Sequence, residues 1–184
     1  NEKLKITKNM INNQHNGYEF VDLGLPSGTL WAKCNIGADE EHEYGDYFAW
    51  GETYTKKVYG SATYKFNNSQ IKELEPENDA AHVNMGGNWC TPTQKQFHEL
   101  FENTENNWVD NYSNTGVGGM LFTGKNGNTL FFPANGKHAH ESLANQKTTC
   151  MLWANEAMST ANYKNNIAKC VIIQKSLSGY FSNG

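Results

Sequence analysis

Arginine is absent from the 184 residues, and all 15 basic side chains are lysines. Arginine supplies the rigid fork that grips phosphate or carboxylate with two hydrogen bonds. With none, a formal charge of -4, a pI near 5.9 and no basic cluster, no nucleic-acid partner is expected. Long apolar runs are also missing, Thr129-Leu-Phe-Phe-Pro133 being among the longest. A membrane-spanning helix needs roughly 18 apolar residues, so no direct membrane span is expected. Closely spaced cysteine pairs are missing too: Cys34, Cys90, Cys150 and Cys170 are far apart and form no CxxC. That argues against a zinc ribbon or a thioredoxin-like motif. A chain of this length can build its core without disulfides, and mostly reduced, buried thiols are expected. No charged-then-apolar leader follows Asn1, so any export signal is expected to lie outside this sequence.

Apolar residues make up 38% of the chain and there are 17 glycines, the composition of a globular protein with a buried core. Asparagine, serine, threonine and glycine are abundant, a mixture that suits sugars and adaptable protein contacts. AT-rich codon usage combined with many turns accounts for the same bias.

Residues 1–17 are rich in lysine and asparagine without periodicity, and are expected to form a flexible N-terminal segment ahead of a single domain spanning 18–184. Tyr18–Leu23 and Thr29–Cys34 read as short strands around Leu25-Pro-Ser-Gly28, and Gly45-Asp-Tyr-Phe-Ala-Trp50 as a third. Thr91-Pro-Thr-Gln94 predicts a helix start, with Thr91 as cap and Pro92 at the first helical position. Phe97, Leu100 and Phe101 then share one face. A shorter helix is expected from Asp79 to the glycine pair Gly86-Gly87. Gly119–Thr123 and Thr129–Phe132 flank Lys125-Asn-Gly-Asn128, a hairpin signal, and Cys150–Trp153 and Ala168–Ile173 read as later strands. Few helices and many short antiparallel strands predict an α+β domain with long surface loops.

Chemical motifs are weak. His138-Ala-His140-Glu141 could direct two imidazoles to one side of an extended segment, but Lys137 beside them would repel a cation, and a polar loop is expected. The acidic stretch from Asp39 to Asp46 lacks the spacing of a calcium loop and is expected to be a solvated loop. There is no G-x-S-x-G turn and no phosphate loop. A cysteine nucleophile at Cys90 would need His82 or His98 beside it, whereas a small buried residue at a helix start is the ordinary reading. No metal, cofactor or catalytic residue is therefore expected. Trp31, Trp50, Trp89 and Trp108 read as core, while Trp153 precedes the polar stretch Ala154–Tyr163 and could stand at the base of an exposed loop.

Four segments in order resemble the Fibrobacter succinogenes major paralogous domain, a family widespread in Bacteroidales. They are Phe20-Val-Asp-Leu-Gly-Leu-Pro-Ser-Gly-Thr-Leu-Trp-Ala32, Glu43-Tyr-Gly-Asp-Tyr-Phe-Ala-Trp-Gly-Glu52, Asp79-Ala-Ala-His-Val-Asn84 and Gly86-Gly-Asn-Trp-Cys-Thr-Pro-Thr93. The resemblance runs from about Tyr18 onward and implies a C-type-lectin-like fold, similar to the formylglycine-generating-enzyme group. The chain departs from the family at Cys90, where arginine is usual, and at Pro133-Ala-Asn-Gly-Lys-His138. Nothing matches the closely spaced cysteine pair of the enzymes, so catalysis does not carry over; the family's closing Gly-Phe-x-Val-Arg-Pro-Val strand is not reached by Gly184, so either the sequence ends ahead of it or the sheet closes differently. Some members of the family carry a face diversified by retroelements, chiefly at asparagine codons, and the residues from Trp153 onward look like such a face. On this reading Trp153, Asn155, Glu156, Tyr163, Asn165, Asn166, Lys175 and Tyr180 would bind the ligand. The expected function is a non-catalytic binding module of a bacterial or phage surface, extracellular, with a protein or glycan ligand. A structural or adhesion module assembling with another chain is the alternative, and an enzyme with a Cys/His site comes last.

Overall fold

Asn16 and Gly17, at φ of 51° and 85°, form the tight turn that folds Gln14–His15 (β1) back on Tyr18–Asp22 (β2). The computed structural model describes residues 13–66, 71–158 and 167–183, the last seven without their side chains. Residues 14–17, assigned by sequence to a flexible segment, are thus a hairpin, and residues 1–12 lie outside the description. β2 pairs antiparallel with Leu30–Ala32 (β3), Val21 facing Trp31.

Two helices follow, Ala80–Met85 (α1) and Gln94–Asn103 (α2). Asp79 caps α1: its Oδ1 accepts from Ala81 N at 2.9 Å and His82 N at 3.4 Å. The same carboxylate takes both donors of Thr91, the hydroxyl at Oδ1 and the N–H at Oδ2, each at 2.8 Å. Thr91 is therefore spent, and the cap of α2 moves to Thr93. Thr93 exchanges bonds with Gln96, whose N–H reaches Thr93 Oγ1 at 3.2 Å while Gln96 Oε1 accepts from Thr93 N at 2.8 Å. Pro92 precedes this cap and does not begin the helix. Phe97 and Leu100 are buried as the spacing predicts, with Phe101 packed at the margin.

A three-stranded sheet holds Thr104–Val109 (β4), Gly119–Gly124 (β5) and Thr129–Pro133 (β6), with Phe122 facing Leu130. Lys137–Ala139 (β7) and Ser142–Ala144 (β8) form a small hairpin. A second three-stranded sheet has Ile167–Gln174 (β10) between Thr149–Met158 (β9) and Leu177–Asn183 (β11). The core joins Leu23, Trp31, Phe97, Phe122, Val171 and Ile173 across these elements. Few helices and mostly short antiparallel strands in small sheets are thus the observed architecture, and no helix among the described residues is long and apolar enough to cross a membrane.

Gly45–Trp50 is not a strand. Its attachments are made by side chains in place of a ladder: Tyr47 Oη donates to Asn135 O at 2.6 Å, and Trp50 Nε1 to Ala154 O at 2.9 Å. Downstream, Glu52 is 1% exposed and pairs with Lys56 at 2.6 Å, while its other oxygen accepts from Lys65 N at 2.7 Å. Lys56 Nζ also donates to Thr63 O at 2.8 Å, so both ions are held in a hydrogen-bonded knot. Of the thiols, Cys150 and Cys170 are buried, Cys34 is half-buried and Cys90 is exposed. The expectation of burial therefore fails at Cys90, since the chain turns outward between Trp89 and the Asp79-bound Thr91.

Asp79→Ala removes a helix cap and leaves the Thr91 donors unsatisfied, so a loss of about 2–4 kcal/mol is expected in urea unfolding. Burial pushes the Cys150 thiol up to about 12, and burial followed by the Glu52 charge pushes the Tyr64 hydroxyl up to about 12. The folded chain holds these protons more tightly than the unfolded chain, whose ordinary values are 9.0 and 10.0. Stability is therefore full below pH about 9 and falls as pH rises toward 12, which thermal melts across that range would follow.

Candidate functional site

A groove of about 830 Å³ opens between β3, the 35–48 segment, α1, the Trp89–Pro92 link and β9. Its lining is aromatic, with Trp31, Tyr44, Tyr47, Phe48, Tyr59 and Trp153 among the contributors. Trp153 is fixed by its indole N–H, which donates to Phe48 O at 2.9 Å. Tyr47, bonded to Asn135 O, also accepts from Gln146 Nε2 at 3.1 Å. Asn135 continues this chain through its side-chain amide: Nδ2 donates to Met151 O at 3.0 Å and Oδ1 accepts from Met151 N at 2.8 Å. That amide occupies the edge of β9 as a neighbouring backbone would. Tyr59 stacks at 4.6 Å on His138, which also meets Tyr47 at 5.9 Å. At the far wall Trp89 donates to His15 O at 2.9 Å, and His15 Nε2 accepts from Asn88 N at 2.8 Å.

The groove is nearly free of charge. Asp46 and Lys137 are the only carboxylate and ammonium among its lining residues. Two polar atoms in that lining are buried without a described partner, Trp31 Nε1 and His138 Nδ1. Much of the remaining lining is apolar or aromatic, which suits an uncharged ligand with a few polar groups.

Of the residues expected to form the ligand face whose side chains are described, Trp153 alone lines this groove. The polar stretch after Trp153 begins inside a ten-residue strand, β9, not in a loop. Asn155 is occupied by structure, its N–H donating to Pro92 O at 2.9 Å and its Nδ2 to Leu74 O at 3.4 Å. Glu156 accepts from Gln94 N at 2.9 Å, placing a carboxylate on the first residue of α2, where the helix dipole favours it. Lys175 pairs with Asp110 at 2.7 Å on the surface, and the bond from Lys175 holds the Asp110 carboxyl below its ordinary range. Tyr163, Asn165 and Asn166 lie outside the described residues, and Tyr180 stands on β11 with its side chain outside them. The aromatic run Tyr44–Trp50 was the signal that could have pointed to the groove. Its reading as a strand hid that role.

The other motifs are absorbed locally. His138 packs on tyrosines and His140 sits at φ 55°, and among the described residues no three His, Cys, Asp or Glu side chains form a group that could hold a metal. In the acidic loop Glu43 accepts from Asp39 N at 2.8 Å and Glu40 N at 3.2 Å, and Glu41 accepts from Tyr112 Oη. At Cys90, desolvation and then the Asp79 carboxylate push the thiol up, which opposes the thiolate that a nucleophile needs. Iodoacetamide at pH 8 should therefore alkylate Cys90 slowly but first, and should reach Cys150 and Cys170 only after unfolding. Peptide mass spectrometry of timed samples reads that order.

No protein-family model, curated protein or solved structure matches the chain.

Proposed function

We propose that this protein is a non-catalytic binding module with a C-type-lectin-like arrangement, displayed outside the cell on a bacterial or phage surface. The aromatic groove between β3 and β9 is its ligand face. One observation carries the reading: some 830 Å³ of concave, aromatic and almost uncharged surface. That volume lies within the roughly 300–1,000 Å³ usual for ligand sites. The fold and surface location rest on the four sequence segments that resemble the paralogous domain family. The ligand is a protein or a glycan. This reading keeps Trp153 and assigns Asn155 and Glu156 to holding β9 against its neighbours, while Tyr163, Asn165, Asn166 and the side chain of Tyr180 lie outside the described residues.

The test is a screen of the purified chain against a glycan array and a panel of bacterial surface proteins. Tyr44→Ala and Trp153→Ala should each weaken any binding found by at least tenfold, with melting curves that remain cooperative. Undiminished binding by both variants would place the ligand elsewhere. Concentration-dependent self-association with no ligand bound would instead favour a structural or adhesion module.

A further inference from the structure

We propose that the groove accepts an extended, uncharged strand of a partner polypeptide, laid along the open edge of β3 and passing the one open backbone position of β9, Trp153. This inference rests on the groove being the ligand face. The lining carries the argument. Thr29, Leu30, Trp31 and Ala32 all line the groove, and so do Met151, Leu152 and Trp153. Successive side chains of a strand point to opposite faces, so consecutive residues can share one groove only where it runs along the strand's edge.

The hydrogen bonding agrees. β3 pairs with β2 through the facing residues Val21 and Trp31, and Lys33 N continues the ladder to Glu19 O at 3.0 Å. Antiparallel alternation then turns the N–H and C=O of Leu30 and Ala32 away from β2, and no described backbone group pairs with them there. On β9 the outward positions are occupied at Met151 by the Asn135 amide. At Asn155 they are occupied by Pro92 O and by Leu74 N, the latter at 3.1 Å. Between these, the same alternation directs the N–H and C=O of Trp153 outward without a described backbone partner.

The walls say what kind of strand fits. Leu30, Met151, Leu152 and Trp153 give it apolar and aromatic lining beside the open backbone positions. One carboxylate and one ammonium among the described lining residues match an occupant without net charge, with apolar side chains for the aromatic surface. Such a strand would extend the sheet β1-β2-β3 at its β3 edge, the mode in which main-chain bonds give affinity and pockets give specificity.

The experiment titrates the full chain with a panel of acetylated and amidated heptapeptides that alternate valine, leucine or phenylalanine with serine or threonine. Tryptophan fluorescence and calorimetry are the readouts. Saturable binding is expected, and N-methylation of alternate residues, which keeps the side chains but removes one edge's donors, should lower affinity at least tenfold. Ala32→Pro deletes an outward N–H at a sheet edge, where proline is tolerated, and should lower affinity similarly with an unchanged melt. Equal affinity for N-methylated peptides would overturn strand pairing. Binding of a glycan or a small aromatic compound, sensitive to Tyr44→Ala, with no peptide bound would overturn the inference and leave the groove as ligand face. No binding by any probe would overturn both. Dimerisation without peptide that Ala32→Pro abolishes would assign the slot to a second copy and overturn the partner strand.

Discussion

The carboxylate of Asp79 is the joint on which the arrangement turns. It is 2% exposed and accepts bonds from Ala81, His82 and both donors of Thr91. An anion so deep is tolerable only because N–H and O–H groups surround it and the start of α1 faces it. By consuming Thr91, it sets where α2 begins. The residues beside that start then hold β9, Pro92 O receiving Asn155 N and Gln94 N reaching Glu156. One buried group thereby couples α1, α2 and the sheet β9-β10-β11, and with them one wall of the groove.

The 45–50 segment is tied to β9 by side chains standing in for backbone. Tyr47, Trp50, Asn135 and Trp153 each make a bond that a sheet would make with its peptide groups. This explains how the 45–50 segment packs against β9 without a ladder, and why the groove between them stays open. A strand running there would have filled it. The Glu52–Lys56 pair does the same for the next turn of chain, fixing residues 52–65 through ionic bonds where apolar residues are scarce.

Much of the fold was legible because it rests on local chemistry. The helix around Phe97 and Leu100, the hairpin at Asn126-Gly127 and the strands near Cys150 and Val171 follow from periodicity and turn residues. The cap at Thr91 was misplaced because its competitor, Asp79, is 12 residues away in sequence. The 45–50 segment was misread because aromatic residues suit strands whether or not a partner exists. Two residues of the expected ligand face, Asn155 and Glu156, hold structural bonds for a related reason. Asn155 and Glu156 look like free polar side chains until Leu74, Pro92 and Gln94 are brought beside them, and spacing along one sequence does not contain those approaches.

A free sheet edge is ordinarily a hazard, since it offers its backbone to any other edge. Here the exposed stretch of β3 is only three residues long, and on β9 the Asn135 amide and the Pro92 and Leu74 contacts bracket a single open residue, Trp153. Both openings lie along a groove walled by Tyr44, Phe48 and Trp89. The features that block indiscriminate edge pairing are therefore the ones that would make the slot selective. Selectivity falls to the aromatic walls, because the backbone bonds are the same for every sequence. The low charge of the described lining fits this: on the proposed reading, recognition would rest on shape and on hydrogen bonds made at close range.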